Sequence, residues 1–219
     1  MWRWFAWLSG SVALRVTVRR NALAQPRTGG RAHQARQIFK VARLPTRVLG
    51  YCLLPNHFHL VLWPRADGDL SHWMQWLLTA HVRRYHRHYG GSGHVWQGRF
   101  KAFPIQQDPH LLTALRYVER NALRAGLVAR AQDWAWSSVA LWSREDRPAY
   151  LVEGPVQRGP NWVRDVNRPM GDRELAVLRQ SVKRGAPFGA LPWAQRMAVR
   201  LGLESTLRSR GRPRKAAKK

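Results

Sequence analysis

The sequence predicts an α+β fold in which an antiparallel or mixed sheet is covered by helices and carries a small, basic, helical appendage at its carboxyl end. Two observations support this fold class. Strand-like and helix-like patterns alternate along residues 12–126, as they do where helices pack on a sheet. The 219 residues are 45% apolar and include twelve tryptophans, which is enough for one core domain and an appendage.

Four strands are predicted from short apolar or alternating runs. The two middle runs are separated by Pro55-Asn56, a turn signal, so they predict a hairpin or one strand interrupted by a bulge. In the last run, the alternation of side chains places Arg99 and Lys101 on one face. The predicted strands are residues 12–20, 48–54, 57–63 and 94–105.

Helices are predicted from apolar residues at helical spacing and from residues that favour helix ends. The strongest signal starts at Asp108, a good N-cap, which is followed by Pro109 and by an apolar stripe that ends before Gly126. The predicted helices are residues 70–89, 109–125, 172–184 and 192–203, with a weaker one at residues 33–43.

The composition divides the chain into four parts. A stretch rich in Pro, Gly and Asn is predicted to link the sheet-bearing core to two short carboxyl-terminal helices. The last residues are almost all basic or small and are predicted to be disordered alone. The four parts are the core 12–143, the linker 144–171, the helical accessory region 172–208 and the tail 209–219.

The formal net charge of +26 indicates the kind of partner. So much charge repels itself unless a polyanion neutralises it, and nucleic acid is favoured because each phosphate contact releases counterions. The alternative is a generic basic protein from a GC-rich genome. No apolar run approaches the roughly 20 residues of a membrane span, and the single Cys52 excludes an internal disulfide. We expect a cytoplasmic, nucleoid-associated protein without a membrane partner, although residues 1–14 could mimic a signal peptide.

Two histidines on one predicted strand form the first candidate site. Side chains alternate along a strand, so His57 and His59 project to the same side while Phe58 points into the core. Two imidazoles on one face can bind one divalent cation. The alternative is a solvated face or a contact to an anion.

A tyrosine on the predicted second helix forms the other candidate site. Tyr117 and Asn121 are four residues apart and therefore share a helix face, with Arg116, Arg120 and Arg124 around them. A nearby cation and guanidinium groups favour phenolate and stabilise negative charge on a phosphate under attack. The alternative is a partly buried tyrosine whose hydroxyl is hydrogen-bonded.

Four separate stretches between residues 51 and 138 resemble motifs of a known family and follow the order of that family. They are Tyr51-Cys-Leu-Leu-Pro-Asn-His-Phe-His-Leu-Val-Leu-Trp-Pro64, Gly93-His-Val-Trp-Gln-Gly-Arg-Phe-Lys101, Arg116-Tyr-Val-Glu-Arg-Asn-Ala-Leu-Arg-Ala-Gly-Leu-Val128 and Trp134-Ala-Trp-Ser-Ser138. The first resembles the HUH motif (His-hydrophobic-His) of single-tyrosine transposases. Together the four most resemble REP-associated tyrosine transposases. Residues 21–45 depart from this family, which has a helix rich in aromatic and aliphatic residues there.

The resemblance implies a site and a reaction. By it, His57 and His59 bind a divalent metal, Mg or Mn, and Asn121 completes the metal site. Tyr117 is the nucleophile that attacks a single-stranded DNA phosphodiester and forms a 5′-phosphotyrosine intermediate, from which a second DNA end is joined. The implied fold is the HUH palm, an antiparallel sheet with helices on it, similar to ferredoxin-like and RNA-recognition domains.

The resemblance also implies single-stranded DNA, often folded as a hairpin at palindromic repeats, as the partner. Arg99 and Lys101 would hold phosphates of that strand while nearby aromatic rings stack on bases, although such rings are also common in cores. The tail resembles an AT-hook core, whose arginines suit the minor groove; the alternative is a solvated basic tail. The tail arginines are Arg210, Arg212 and Arg214.

Other functions remain open at this stage. A domesticated transposase could bind structured single-stranded DNA or RNA without cutting it, and a relaxase or replication initiator would share the chemistry. The retention of both histidines, Tyr117 and Asn121 favours an active enzyme. We expect a monomer or a homodimer.

Overall fold

The computed structural model describes residues 12–17 by their backbone and residues 46–142 and 144–208 in full. The predicted helix at residues 33–43 and the basic tail lie outside the described residues. The elements are β1 (Val12–Thr17), β2 (Thr46–Leu53), β3 (His57–Pro64), α1 (Asp69–Tyr89), β4 (Lys101–Pro104), α2 (Pro109–Glu119), α3 (Asn121–Arg124), α4 (Trp162–Asn167), α5 (Asp172–Arg184), α6 (Leu191–Leu201) and α7 (Glu204–Leu207).

The four described strands form one antiparallel sheet in the order β2-β3-β1-β4. β2 and β3 form the predicted hairpin, whose register shifts between Val48 and Gly50. β1 pairs with both β3 and β4, so that Arg15 lies opposite His59 on one side and Lys101 on the other. Helices cover this sheet, and the predicted α+β class is confirmed.

The two faces of the sheet pack against different helices, because side chains of β3 alternate between them. Phe58, Leu60 and Leu62 belong to an apolar cluster with residues of α1. Val61 belongs to a second cluster, which contains Leu115 of α2. The odd-numbered positions of β3, which include both histidines, therefore face α2.

α2 begins where the sequence predicts. The carboxylate of Asp108 accepts a hydrogen bond from the backbone N–H of His110 at 2.9 Å, and Pro109 occupies the first helical position. The helix is not continuous to Gly126, because α2 ends at Glu119 and α3 starts at Asn121. Gly126 has a φ of 69°, the left-handed conformation expected after a helix end.

The last predicted strand is shorter than expected. Only Lys101–Pro104 forms the strand β4, and the preceding residues form a loop. Gly93 and Gly98 have φ values of 94° and 91°, which a strand does not allow. The prediction that residues 94–100 are extended was therefore wrong, and the alternation that placed Arg99 and Lys101 on one face does not apply.

The segment predicted to be a linker is packed into the core. It contains α4 and buries Leu151, Trp162 and Val166. Its high content of Pro and Gly reflects tight turns, whereas its few apolar residues lie against the sheet and α2. The division of the chain into domains remains a prediction, but residues 144–171 are not a free spacer.

The carboxyl-terminal helices also contact the core. α5 has the bounds that the sequence predicts, and α6 starts one residue earlier than predicted. The backbone N–H of Gln106 donates to the carbonyl of Phe188, and the N–H of Phe188 donates to the carbonyl of Pro104, both at 2.9 Å. In the described part of the chain, no helix combines the length and the apolar composition that crossing a membrane requires.

Candidate active site

β3 places the two histidines side by side on the face that α2 covers. The ring centroids of His57 and His59 are 5.1 Å apart and the rings are nearly perpendicular. His59 is 3% exposed, whereas His57 is half-buried and its Nδ1 lies 2.6 Å from the side-chain oxygen of Asn56. The pair is therefore open to solvent on the side of His57.

α2 places Tyr117 against this pair. Tyr117 is 7% exposed, and its ring meets that of His59 edge to face with centroids 5.8 Å apart. The Asp108 cap and the close packing of α2 on β2 fix the helix that carries the tyrosine. The structure thus brings His57, His59 and Tyr117 together from parts of the chain about sixty residues apart.

Asn121 follows Tyr117 after the break in the helix and is 1% exposed. Its side-chain oxygen accepts a hydrogen bond from Nη2 of Arg124 at 2.8 Å, while its Nδ2 is buried without a hydrogen-bond partner. The guanidinium carbon of Arg124 also lies 5.5 Å from the centre of the Tyr117 ring. Arg124 therefore contacts both the carboxamide of Asn121 and the ring of Tyr117.

Arg116 and Arg120 donate hydrogen bonds to backbone carbonyls in and just after α4. Arg116 donates from Nε to the carbonyl of Asp165 at 2.7 Å and from Nη2 to the carbonyls of Arg168 and Pro169. Arg120 donates to the carbonyls of Asn167 and Arg168. These carbonyls lie at the carboxyl end of α4, where backbone acceptors lack partners within the helix. Both guanidinium groups thus bind backbone carbonyls, and their predicted role in binding DNA stays a prediction.

The other predicted DNA-binding residues are described only in part. Arg99 and Lys101 are exposed, Arg99 in the loop before β4 and Lys101 at the first residue of that strand. Their role in binding DNA stays a prediction. The three arginines of the tail lie outside the described residues.

The side chains predicted to hold a metal are two imidazoles and one carboxamide. Within the described residues, no group of three or more His, Cys, Asp or Glu side chains could hold a metal ion. A divalent cation at this position would therefore depend on His57, His59 and Asn121, a mixed nitrogen and oxygen set that suits Mn²⁺. The buried Nδ2 of Asn121 shows that its carboxamide is only half satisfied in this arrangement.

Sequence reasoning missed a buried carboxylate next to the tyrosine. Glu119 is fully buried and accepts hydrogen bonds from the hydroxyl of Ser138 at 2.6 Å and from the indole N–H groups of Trp142 and Trp162 at 2.8 and 2.6 Å. Nη2 of Arg158, whose side chain is 4% exposed, lies 3.9 Å from the same carboxylate. The available signal was Glu119 within the Tyr-Val-Glu-Arg-Asn stretch, with tryptophans downstream.

This network holds a charge that burial opposes. Burial raises the pKa of the Glu119 carboxyl, while Arg158 and the three donors act in the opposite direction. Burial also lowers the pKa of the Arg158 guanidinium, which lies 3.6 Å above the Trp142 ring. The network ties the helix carrying Tyr117 to the segment between residues 138 and 162.

The chain is similar to known proteins in sequence and in fold. Residues 12–121 match the family described as Transposase IS200 like. A protein of Haemophilus influenzae named as a REP-associated tyrosine transposase is 30% identical over 105 residues, which cover 43% of this chain and 59% of that protein. The chain thus spans less than two thirds of the length of this relative.

A solved structure shares the fold. It is described as a REP-associated tyrosine transposase bound to a REP hairpin, and it superimposes with a TM-score of 0.50 at 20% sequence identity. The match covers 78% of this chain and 99% of the other. At this level of identity the likeness concerns the fold.

Proposed function

We propose that this chain, which belongs to the IS200-like transposase family, cuts and rejoins single-stranded DNA with Tyr117 as its nucleophile. Transposases are enzymes, so the family supports the predicted class of activity. The observation that carries the proposal is the contact between the rings of His59 and Tyr117, whose centroids are 5.8 Å apart. The two residues are far apart in the sequence, so the fold is what brings them into contact.

The proposed reaction is a transesterification. The phenol oxygen of Tyr117 attacks the phosphorus of a phosphodiester, an O–P bond forms, and the bond to the 3′ oxygen breaks. The phenol loses its proton and the departing oxygen gains one, which leaves a 5′-phosphotyrosine and a free 3′-hydroxyl. The 3′-hydroxyl of a second DNA end then attacks the phosphotyrosine, which restores the phosphodiester and the tyrosine without ATP.

Arg124 lies beside the tyrosine ring. Its guanidinium is 5.5 Å from the ring centre, and in this proposal its positive charge offsets the charge that develops on the phosphate. Its hydrogen bond to Asn121 holds it there. The sequence predicts this role for Arg116, Arg120 and Arg124 together, and the proposal assigns it to Arg124.

A divalent cation, Mn²⁺ or Mg²⁺, would be held by His57, His59 and Asn121. When bound, such a cation supplies Lewis-acid polarisation of the scissile phosphodiester. The exposed side of His57 leaves a path for an ion and a phosphate. Arg124 donates to the same oxygen of Asn121 that the cation would use, so the two positive groups share one acceptor with two lone pairs.

The proposed substrate is single-stranded DNA next to a hairpin, at palindromic repeats. The solved relative is described as bound to a REP hairpin, and the net charge of +26 on this chain suits a polyanion. Exposed Arg99 and Lys101 would contact the strand. A DNA substrate would place the enzyme in the cytoplasm, at the nucleoid.

The test is trapping of a covalent protein–DNA adduct. The full chain is incubated with Mn²⁺ or Mg²⁺ and an end-labelled hairpin with single-stranded flanks, and adducts are resolved on a denaturing gel. We expect Tyr117→Phe to abolish the adduct while retaining DNA affinity, because only the nucleophilic oxygen is lost. Tyr85→Phe on α1 is the matched control and should retain full adduct formation.

Two results would contradict the proposal. An adduct formed by Tyr117→Phe would show that another residue is the nucleophile. Tight binding by the wild-type chain without an adduct in either metal would favour the alternative, a catalytically inactive nucleic-acid-binding protein.

A further inference from the structure

A pocket lies on the sheet face opposite the candidate active site. It is a depression of about 430 Å³ that is open to solvent. One wall is Val82 of α1, and the other is the loop from Gly93 to Trp96 together with Gly98 and Arg99. The pocket thus combines an apolar side chain, an indole and a guanidinium.

Two polar contacts hold the loop that forms the pocket against α1. The carbonyl of Gly93 lies 3.0 Å from Nε2 of His86, and the indole N–H of Trp96 donates to the carbonyl of Leu78 at 3.1 Å. The left-handed conformations of Gly93 and Gly98 give the loop its shape. The hydrogen bond to Leu78 thus fixes the position of the Trp96 indole before any ligand binds.

The part of the chain that forms the pocket is positively charged. Residues 70–107 contain five Arg and Lys residues and no Asp or Glu. All five are exposed, and within the described residues none of them forms an ion pair. A depression lined by the Arg99 guanidinium and the Trp96 ring suits a nucleotide, because the phosphate can bind the charge and the base can stack on the ring. The five residues are Arg83, Arg84, Arg87, Arg99 and Lys101.

The pocket and the candidate active site lie on opposite sides of the same strand. The Trp96 ring packs edge to face on Phe58 at 5.7 Å, and Phe58 lies between the two histidines in sequence but points to the other face. Lys101 is two strands from His59 in the same row of the sheet, about 10 Å away by strand spacing. A DNA strand that passes the edge of the sheet at Lys101 could reach both sites.

We propose that this pocket binds one unpaired nucleotide of the substrate strand, with its base against Trp96 and its phosphate on Arg99. The inference rests on the proposed function in one respect, that the substrate contains single-stranded DNA. A held nucleotide would fix the position of the strand relative to Tyr117, so that the phosphodiester to be cut is chosen by its distance from the seated base.

The test uses a labelled hairpin with a single-stranded flank in which one abasic position is moved along the flank. Binding to the full chain is measured by fluorescence anisotropy at constant salt. We expect one abasic position to weaken wild-type binding about 5- to 100-fold, because base–aromatic stacking contributes about 1–3 kcal/mol. The other positions should show little effect.

Two variants connect that penalty to the pocket. Val82→Trp fills the space without removing the Trp96 ring, and it should weaken binding and erase the abasic penalty. Arg99→Ala should weaken binding several-fold more than Arg179→Ala, which removes an exposed charge of the same kind from α5. An equal penalty in the wild type and in Val82→Trp, or equal losses for the two arginine variants, would overturn the proposal.

Adduct trapping on the same DNA separates this inference from the proposed function. If an adduct forms but no abasic position weakens binding, the pocket does not bind a nucleotide, whereas the role of Tyr117 as the nucleophile is supported. A penalty that depends on Val82, without an adduct, would support the pocket and contradict the catalytic proposal.

Discussion

The two faces of the sheet differ in what they bury. The face under α1 is filled by aliphatic and aromatic side chains such as Leu60, Leu62 and Met74. The face under α2 buries His59, Asn121 and Glu119 among its apolar residues. A buried polar network costs desolvation but allows few alternative arrangements. The apolar face therefore tolerates changes that conserve volume, whereas the polar face fixes the positions of reactive groups and is destabilised when one partner is removed.

The largest effect should come from breaking the polar face at its buried charge. Glu119→Leu removes the buried carboxylate beside Arg158, and this guanidinium then keeps only the exposed Glu153, 3.3 Å away, as an anionic partner. The change also leaves three buried donors without their acceptor, and we expect a loss of about 3–5 kcal/mol in the free energy of unfolding. Chemical denaturation of the full chain measures this loss. A matched change on the other face, Leu62→Met, keeps volume and should cost less than about 1.5 kcal/mol. Equal losses for the two variants would contradict the contrast between the faces.

A smaller effect should come from the close approach of α2 to the sheet. A Cβ added at Gly50 would lie 2.7 Å from Cδ2 of Leu115 and 3.3 Å from Oε1 of Glu119. We therefore expect Gly50→Ala to push the helix outwards and to destabilise the fold by about 1–3 kcal/mol. Gly159→Ala, where a Cβ meets nothing within 4 Å, is the control. A Gly50→Ala protein as stable as this control would show that α2 moves freely on the sheet.

The smallest effect concerns a titratable group near the apolar side. Burial, with a contribution from Arg84, lowers the pKa of His81 from 6.5 to about 4, so the folded chain favours the neutral imidazole. The stability from this preference is complete above pH 6.5 and is lost as the pH falls towards 4. Allowing for its partial exposure, we expect His81→Phe to remove roughly 1–2 kcal/mol of this pH dependence.

Denaturation of wild type and His81→Phe at several pH values between 4 and 8 would measure this change. At pH 8 the imidazole of His81 is neutral in both the folded and the unfolded chain. Any difference in stability between wild type and His81→Phe at that pH therefore reflects packing alone. Parallel curves at all pH values would show that His81 does not contribute to acid sensitivity.

Much of the fold could be predicted from the sequence, because periodicity and helix-end signals act over a few residues. The hairpin of β2 and β3, the start of α2 and the bounds of α5 follow from such local patterns. The predicted family resemblance is confirmed by the match over residues 12–121. The prediction of a strand before residue 101 was wrong because left-handed glycines turn that segment into a loop. The alternation of side chains does not reveal these backbone conformations.

The sequence by itself determined which residues could form the site: two histidines alternate on one strand, and the tyrosine and the asparagine lie four residues apart. Only the tertiary structure decided how their neighbours are used. Arg116 and Arg120 bind carbonyls about fifty residues away in the chain, and Glu119 lies beside Arg158, which is about forty residues away. Such choices depend on which distant acceptors the fold brings within hydrogen-bonding range, and no local pattern encodes that distance.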